Sequence, residues 1–116
     1  MQRFMLKSKI HRARLTGTNL DYEGSIAIDK TLLDAADILP GEQVHVLNLS
    51  SGARLVTYAI EAEAGSGIIM LNGAAARQGM PGDLLIILTY CAVPEDQVRN
   101  FRSKVVRVTA ENRLGP

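Results

Sequence analysis

The sequence predicts a mainly β protein, folded as a compact, pseudo-duplicated β-barrel with short helices. Three observations carry this reading. Aromatic residues are scarce, limited to Phe4, Phe101, Tyr22, Tyr58 and Tyr90, so Val, Ile, Leu and Ala must fill the core. These aliphatics fall in strand-length runs bounded by Gly and Pro turns. The chain also matches itself at one fixed offset. Pro40-Gly41-Glu42 falls on Pro81-Gly82-Asp83, Val44–Leu47 falls on Leu85–Leu88, Gly24-Ser25 falls on Gly65-Ser66, and Ile28 falls on Ile69. Two matching units are too few for a solenoid, which needs three or more. They hide their strand edges by interlocking or closing.

The elements follow in order. Phe4, Leu6, Ser8 and Ile10 alternate with Met5, Lys7, Lys9 and His11, a period of two that suits a half-buried strand. Thr31 to Asp37 reads as a short helix capped by Asp29 and stopped by Pro40. Gln43 to Leu49 is β-rich and follows the Pro40-Gly41 turn. Arg54 to Glu63 is another strand, entered through Ser51-Gly52 and left at Gly65. Asn72-Gly73 predicts a tight turn before a short Ala-rich helix. Leu84 to Tyr90 is apolar on both alternating faces, which predicts an interior strand. Pro94 to Arg99 predicts a helical turn with Pro near its start, and Lys104 to Thr109 the last strand.

Composition removes several classes of function. The chain has 116 residues, 47% of them hydrophobic, with 13 basic and 12 acidic side chains. That length suits one domain over 1–116. No apolar run approaches the ~20 residues of a spanning helix. The N-terminus alternates apolar with basic residues and has no signal-peptide core, so a cytoplasmic protein is expected. A net charge of +1 and the lack of an aromatic platform argue against a nucleic-acid partner. One cysteine, Cys91, and two histidines far apart in the chain, His11 and His45, predict no disulfide and no metal site. No phosphate-binding glycine fingerprint is present.

Three stretches remain as candidate chemistry: Tyr22-Glu23-Gly24-Ser25, Arg54-Leu55-Val56-Thr57-Tyr58, and Asn72-Gly73-Ala74-Ala75-Ala76. Singly, each has an ordinary explanation as a turn, a β-prone strand or a turn before a helix. Together with Lys9-Ile10-His11-Arg12, they resemble the pyruvoyl-dependent aspartate 1-decarboxylase family, in order, over nearly the whole chain. The resemblance implies a double-psi β-barrel. It also implies an inactive precursor that cuts itself between Gly24 and Ser25, into 1–24 and 25–116. In that scheme the Ser25 hydroxyl attacks the Gly24 carbonyl, and elimination then leaves a covalent pyruvoyl group at position 25. Gly at 24 permits a strained backbone, and Thr57 is the implied donor to the developing oxyanion. The pyruvoyl ketone forms a Schiff base with L-aspartate and takes up the electrons released with CO2. β-Alanine for pantothenate and coenzyme A is the product, with no dissociable cofactor.

The resemblance also assigns substrate contacts. Arg54 and Lys9 would meet the two carboxylates, in an order the sequence leaves open. Tyr58 would donate the proton to the carbanionic intermediate, a role that suits a phenol. Asn72 and the backbone N–H groups of Gly73, Ala74 and Ala75 would hold the intermediate, with His11 and Tyr22 nearby. On a regular strand Arg54 and Tyr58 share a face that Thr57 does not. A bulge, or a site shared between the subunits of the homotetramer the family forms, would reconcile them. Gly65-Ser66 lacks the preceding Tyr and is expected to stay intact. Two departures stand out: Arg77 replaces the His that often follows the Ala run, and little chain follows the last strand. The competing reading is a non-catalytic binding barrel, since fold does not fix function.

Overall fold

A computed structural model describes residues 1–116. Its strands are β1 (Gln2–Arg14), β2 (Gly17–Asn19), β3 (Ile26–Asp29), β4 (Gln43–Asn48), β5 (Arg54–Ala62), β6 (Ile69–Asn72), β7 (Leu84–Pro94) and β8 (Lys104–Arg107). One α-helix, α1 (Lys30–Ala36), and two 3-10 turns, Gly73–Gln78 and Glu95–Asn100, complete it. The strands form one sheet in the order β2-β6-β3-β5-β4-β7-β1-β8. The chain passes from β1 to β2 in a step of three residues, which spans at most ~10 Å. Six strand spacings separate them in the sheet order, about 29 Å if flat. The sheet must therefore coil round on itself.

Up to β1, that order alternates strictly between the two sequence units. β2, β3, β4 and β1 come from the first, and β6, β5 and β7 from the second. No ladder among these strands joins two strands of one unit. The dyad is visible in the register. Val46 pairs with Ile87 and Ile28 with Ile69, both antiparallel. Each pair is separated by the repeat offset, so a pseudo-two-fold axis runs between the partners. β7 lies between β4 and β1, the interior position its composition predicts.

The core is aliphatic. Ile10, Leu15, Ile26, Ile28, Leu32, Leu33, Val44, Val46, Ile69, Leu71, Leu85 and Ile87 are fully buried, and no aromatic joins them. The alternation read in the first strand breaks in two places. Register shifts between Leu6 and Ser8 and between His11 and Ala13 make Lys7 and Arg12 the extra residues of bulges, Arg12 at φ +65°. Ser8 and Ile10 thus face the core, whereas Phe4 is 85% exposed.

The short strands β2, β3 and β6 go beyond the sequence reading. The two helical turns after Asn72 and Pro94 are 3-10 rather than α. α1 ends before Pro40, through Asp37 in the left-handed region at φ +58°, whose N–H donates to the Asp34 and Leu33 carbonyls.

Asp29 caps α1 as expected and does more. Its buried carboxylate accepts from the backbone N–H of Thr31 at 2.8 Å, Gly65 at 2.9 Å and Gly67 at 2.8 Å. It thereby ties the helix of the first unit to the β5–β6 loop of the second. Burial pushes this carboxyl up, but the donors on Gly67, Gly65 and Thr31 outweigh it and hold it below its ordinary 3.8. Its stabilising effect is complete above that value and lost as pH falls through the lower folded one. Asp29→Asn, which turns an amide NH2 toward N–H donors, is expected to cost about 2 kcal/mol in urea titration at neutral pH. The variant's stability should also fall less steeply in acid than the parent's.

Candidate active site

The site forms where β3 starts. Ile26 pairs in parallel with Ala59, so the stretch Arg54–Tyr58 runs past the beginning of β3 with β4 alone as its ladder partner. Ser25 comes level with Tyr58 beside this open edge. A cavity of about 330 Å³ lies there, lined among others by Gly24, Ser25, Thr57, Tyr58, Asn72, Ala74 and Ala75. Seven of the residues singled out in the sequence thus border one space.

Ser25 is 2% exposed and takes φ +85°, a conformation rare for a residue with a side chain, next to Gly24 at φ +146°. Such backbone costs of order 1–3 kcal/mol and persists only where its surroundings impose it. Here they do. The backbone N–H of Asn72 donates to the Ser25 carbonyl at 3.0 Å. The Asn72 side-chain Nδ2 stands 3.5 Å from Ser25 Oγ, and its Oδ1 is buried with no partner. Gly73, buried at φ +60°, packs against the backbone of Gly24 and Tyr22 from behind.

The far end of the Gly73–Gln78 turn is anchored separately. Asn48 Nδ2 donates to the Gln78 carbonyl at 3.1 Å and to Asp83 Oδ2 at 2.9 Å. With the Met80 N–H, that contact draws the Asp83 carboxyl below its usual range, Asn48 contributing most. Glu23, Leu55 and Val56, which lie within the candidate stretches but carry no role in the sequence reading, also line the cavity, as does Gln78. Gln78 is placed by the turn and had no local signal.

β5 pairs with β4 in unbroken register from Arg54 to Tyr58, so no bulge turns Thr57. Thr57 and Tyr58 point to opposite faces and still border the same cavity, because it opens on the strand's edge. Arg54 stays outside it, four residues and about 13 Å along the strand from Tyr58. Lys9 lies on β1 between Leu88 and Val105, three strand spacings from β5, about 14 Å. His11 follows on the same strand. Burial first, then the cations of Lys9, Arg107 and Arg12, lower its pKa. Tyr22 is exposed and reaches the site through its backbone carbonyl. The cavity of one chain therefore contains a carboxylate, Glu23, and no cation.

The second Gly-Ser pair is held differently. The Ser66 hydroxyl accepts from the Ile68 N–H at 3.2 Å, the Gly65 N–H is taken by Asp29, and the Arg113 guanidinium donates to the Gly65 carbonyl. No glycine packs against the Gly65 backbone as Gly73 packs against that of Gly24.

Comparison with known proteins gives the family and the fold. The family model described as aspartate decarboxylase matches residues 1–115. The aspartate 1-decarboxylase of Thermoanaerobacter pseudethanolicus is 55% identical over 113 residues, 97% of either chain. That of Syntrophobacter fumaroxidans is 58% identical over 113 residues, 97% of this chain and 91% of the relative. That of Myxococcus xanthus is 53% identical across all of this chain and 89% of its own. Among solved structures, the rationally designed mkDPBB_sym_86 protein superposes with a TM-score of 0.50 at 17% identity, over 66% of this chain and 90% of that one. This last likeness shows the fold alone, a double-psi β-barrel.

Proposed function

The chain belongs to the aspartate decarboxylase family, and we propose that it acts through a pyruvoyl group made from its own Ser25. Its reaction is the decarboxylation of L-aspartate to β-alanine. We assign that product to pantothenate and coenzyme A synthesis, and the enzyme to the cytoplasm. No helix is long and apolar enough to cross a membrane. The observation that carries the reading is the strained Gly24-Ser25 pair, its serine buried and held by Asn72 at the edge of the cavity.

In this reading Ser25 Oγ attacks the Gly24 carbonyl carbon. The C–N bond breaks as the ester C–O bond forms, and the hydroxyl proton passes to nitrogen. Thr57, on the cavity wall, donates to the developing oxyanion. Loss of the Ser25 α-proton and rupture of its Cβ–Oγ bond release Gly24 as a carboxylate and leave dehydroalanine. Water then displaces the nitrogen as ammonia. The residues fit the resulting group: position 25 is buried, Asn72 Nδ2 stands 3.5 Å from Ser25 Oγ, and Asn72 Oδ1 is buried without a partner. The ketone supplies an electrophile for the substrate's amino group and a sink for the electrons freed with CO2.

The chain's own residues do the rest. Tyr58 lines the cavity and returns the proton to carbon. Asn72 and the backbone of Gly73, Ala74 and Ala75 hold the bound substrate. A dianion needs cations, and the lining of one chain offers none. We therefore assign Lys9 and Arg54 to the sites of neighbouring copies in a homotetramer. Support comes from the outward sheet face between them, where Leu47, Ile86 and Leu88 are only half-buried and Val56 and Tyr90 are exposed.

Denatured mass with and without a carbonyl-trapping hydrazine tests the reading. Fragments 1–24 and 25–116 are expected, the larger one trapped, and no fragment ending at Gly65; Ser66→Ala should give the same pattern. A chain that stays intact after prolonged warming would favour a non-catalytic barrel. Because 1–24 carries β1 and β2, laddered to β7, β8 and β6, the two fragments should co-elute natively and part only in denaturant. Tyr58→Phe should still split yet lose on the order of 100-fold in turnover. Unchanged turnover would remove Tyr58 from the donor role.

A further inference from the structure

We infer that Gly73 is a positioning residue for self-cleavage, seating the Tyr22–Gly24 backbone so that the Gly24 carbonyl stays against the Ser25 hydroxyl. The inference rests on the self-cleavage reading above. A Cβ at position 73 would lie 2.9 Å from Gly24 Cα, 2.9 Å from the Tyr22 carbonyl oxygen and 3.0 Å from Gly24 N. All three are backbone atoms, and none can rotate away as a side-chain tip could. Gly24 differs. A Cβ there would meet only the Tyr58 hydroxyl, at 3.8 Å, so Gly24 serves conformation and Gly73 serves space.

Neither side of this contact can retreat freely. Gly73 follows β6 directly, and β6 is laddered to β3 through Leu71 and Ile26 and to β2 through Asn72 and Asn19. The Ser25 carbonyl is fixed by the Asn72 N–H, and Ile26 by its pairing with Ala59. The hydroxyl side of the scissile bond is thus locked to the sheet, while the carbonyl side rests on Gly73. Any side chain at 73 would move one without the other, by about half an ångström if the contact relaxed to ordinary van der Waals distance. Misplacement of reacting atoms by ~1 Å costs on the order of 100-fold, so this half-ångström shift should slow cleavage about tenfold.

Gly73→Ala and Gly73→Asn test it together. Asn tolerates the left-handed backbone that Gly73 adopts, so that variant separates the added Cβ from backbone strain. Freshly purified wild type and both variants are warmed, and denatured mass is followed over time alongside near-UV circular dichroism. The expected result is folded variants that split after Gly24 about tenfold more slowly than wild type. Hydroxylamine, which opens an ester under conditions that spare an amide, should release no fragment from the stalled chains, because the attack itself is what fails. Folded variants that split at the wild-type rate, or that accumulate ester, would overturn the role of Gly73 and leave the self-cleavage reading standing. Failure of both variants to fold would assign Gly73 to folding and overturn the positioning role. A wild-type chain that never splits would instead overturn the self-cleavage reading itself.

Discussion

Everything in this molecule depends on the alternation of its two units across the sheet. From β2 to β1, each strand of the first unit pairs only with strands of the second. Neither unit can complete a ladder by itself, so backbone satisfaction, which a buried sheet demands, is achieved only by both together. Asp29 repeats the theme at side-chain level, joining the helix of one unit to a loop of the other. The interlock also fixes the site, because Ser25 comes from the first unit and Thr57, Tyr58 and Asn72 from the second.

That division of labour explains how a strained bond survives folding. A serine in the positive-φ region that Ser25 occupies would relax in a free loop. Ser25 is instead caught between β3, laddered on both edges, and the end of β6, whose Asn72 takes its carbonyl. The strain is small beside the many inter-unit hydrogen bonds that impose it. Cutting the chain at this point would relieve the strain and remove none of the ladders.

How much of this was legible in the sequence depended on range. The turns at Pro40-Gly41 and Pro81-Gly82, the strands that follow them and the Asp29 cap are local signals, and the structure has them. The repeat was legible too, because matched turns reflect matched units. The four-residue strands Ile26–Asp29 and Ile69–Asn72 were not, being too short to show a period, and bulges at Lys7 and Arg12 depend on the partner strand. Thr57 and Tyr58 posed a conflict on a regular strand. An open strand edge resolves it, and no local pattern announces where a neighbouring strand will begin. The crowding behind Gly73 is equally invisible, since it arises from Tyr22 and Gly24, far away in the chain.

Charge supplies the last step. A cavity bordered by Glu23 and by no cation repels a dicarboxylate, and the two basic residues suited to one stand on the outward face, Lys9 about 14 Å from β5 level with Val56 and Arg54 about 13 Å along β5 from Tyr58. On a face that also bares Val56 and Tyr90, a copy docked in closed symmetry, as proposed above, would present Lys9 or Arg54 to a neighbour's cavity while its own received the same. Symmetry makes one such contact serve every site at once. Under the proposed arrangement an isolated chain would still hold everything the self-cleavage reading asks for, because Gly24, Ser25, Thr57, Asn72 and Gly73 are all its own. Maturation and substrate binding would then have different requirements, the first met within a fold and the second only by an assembly.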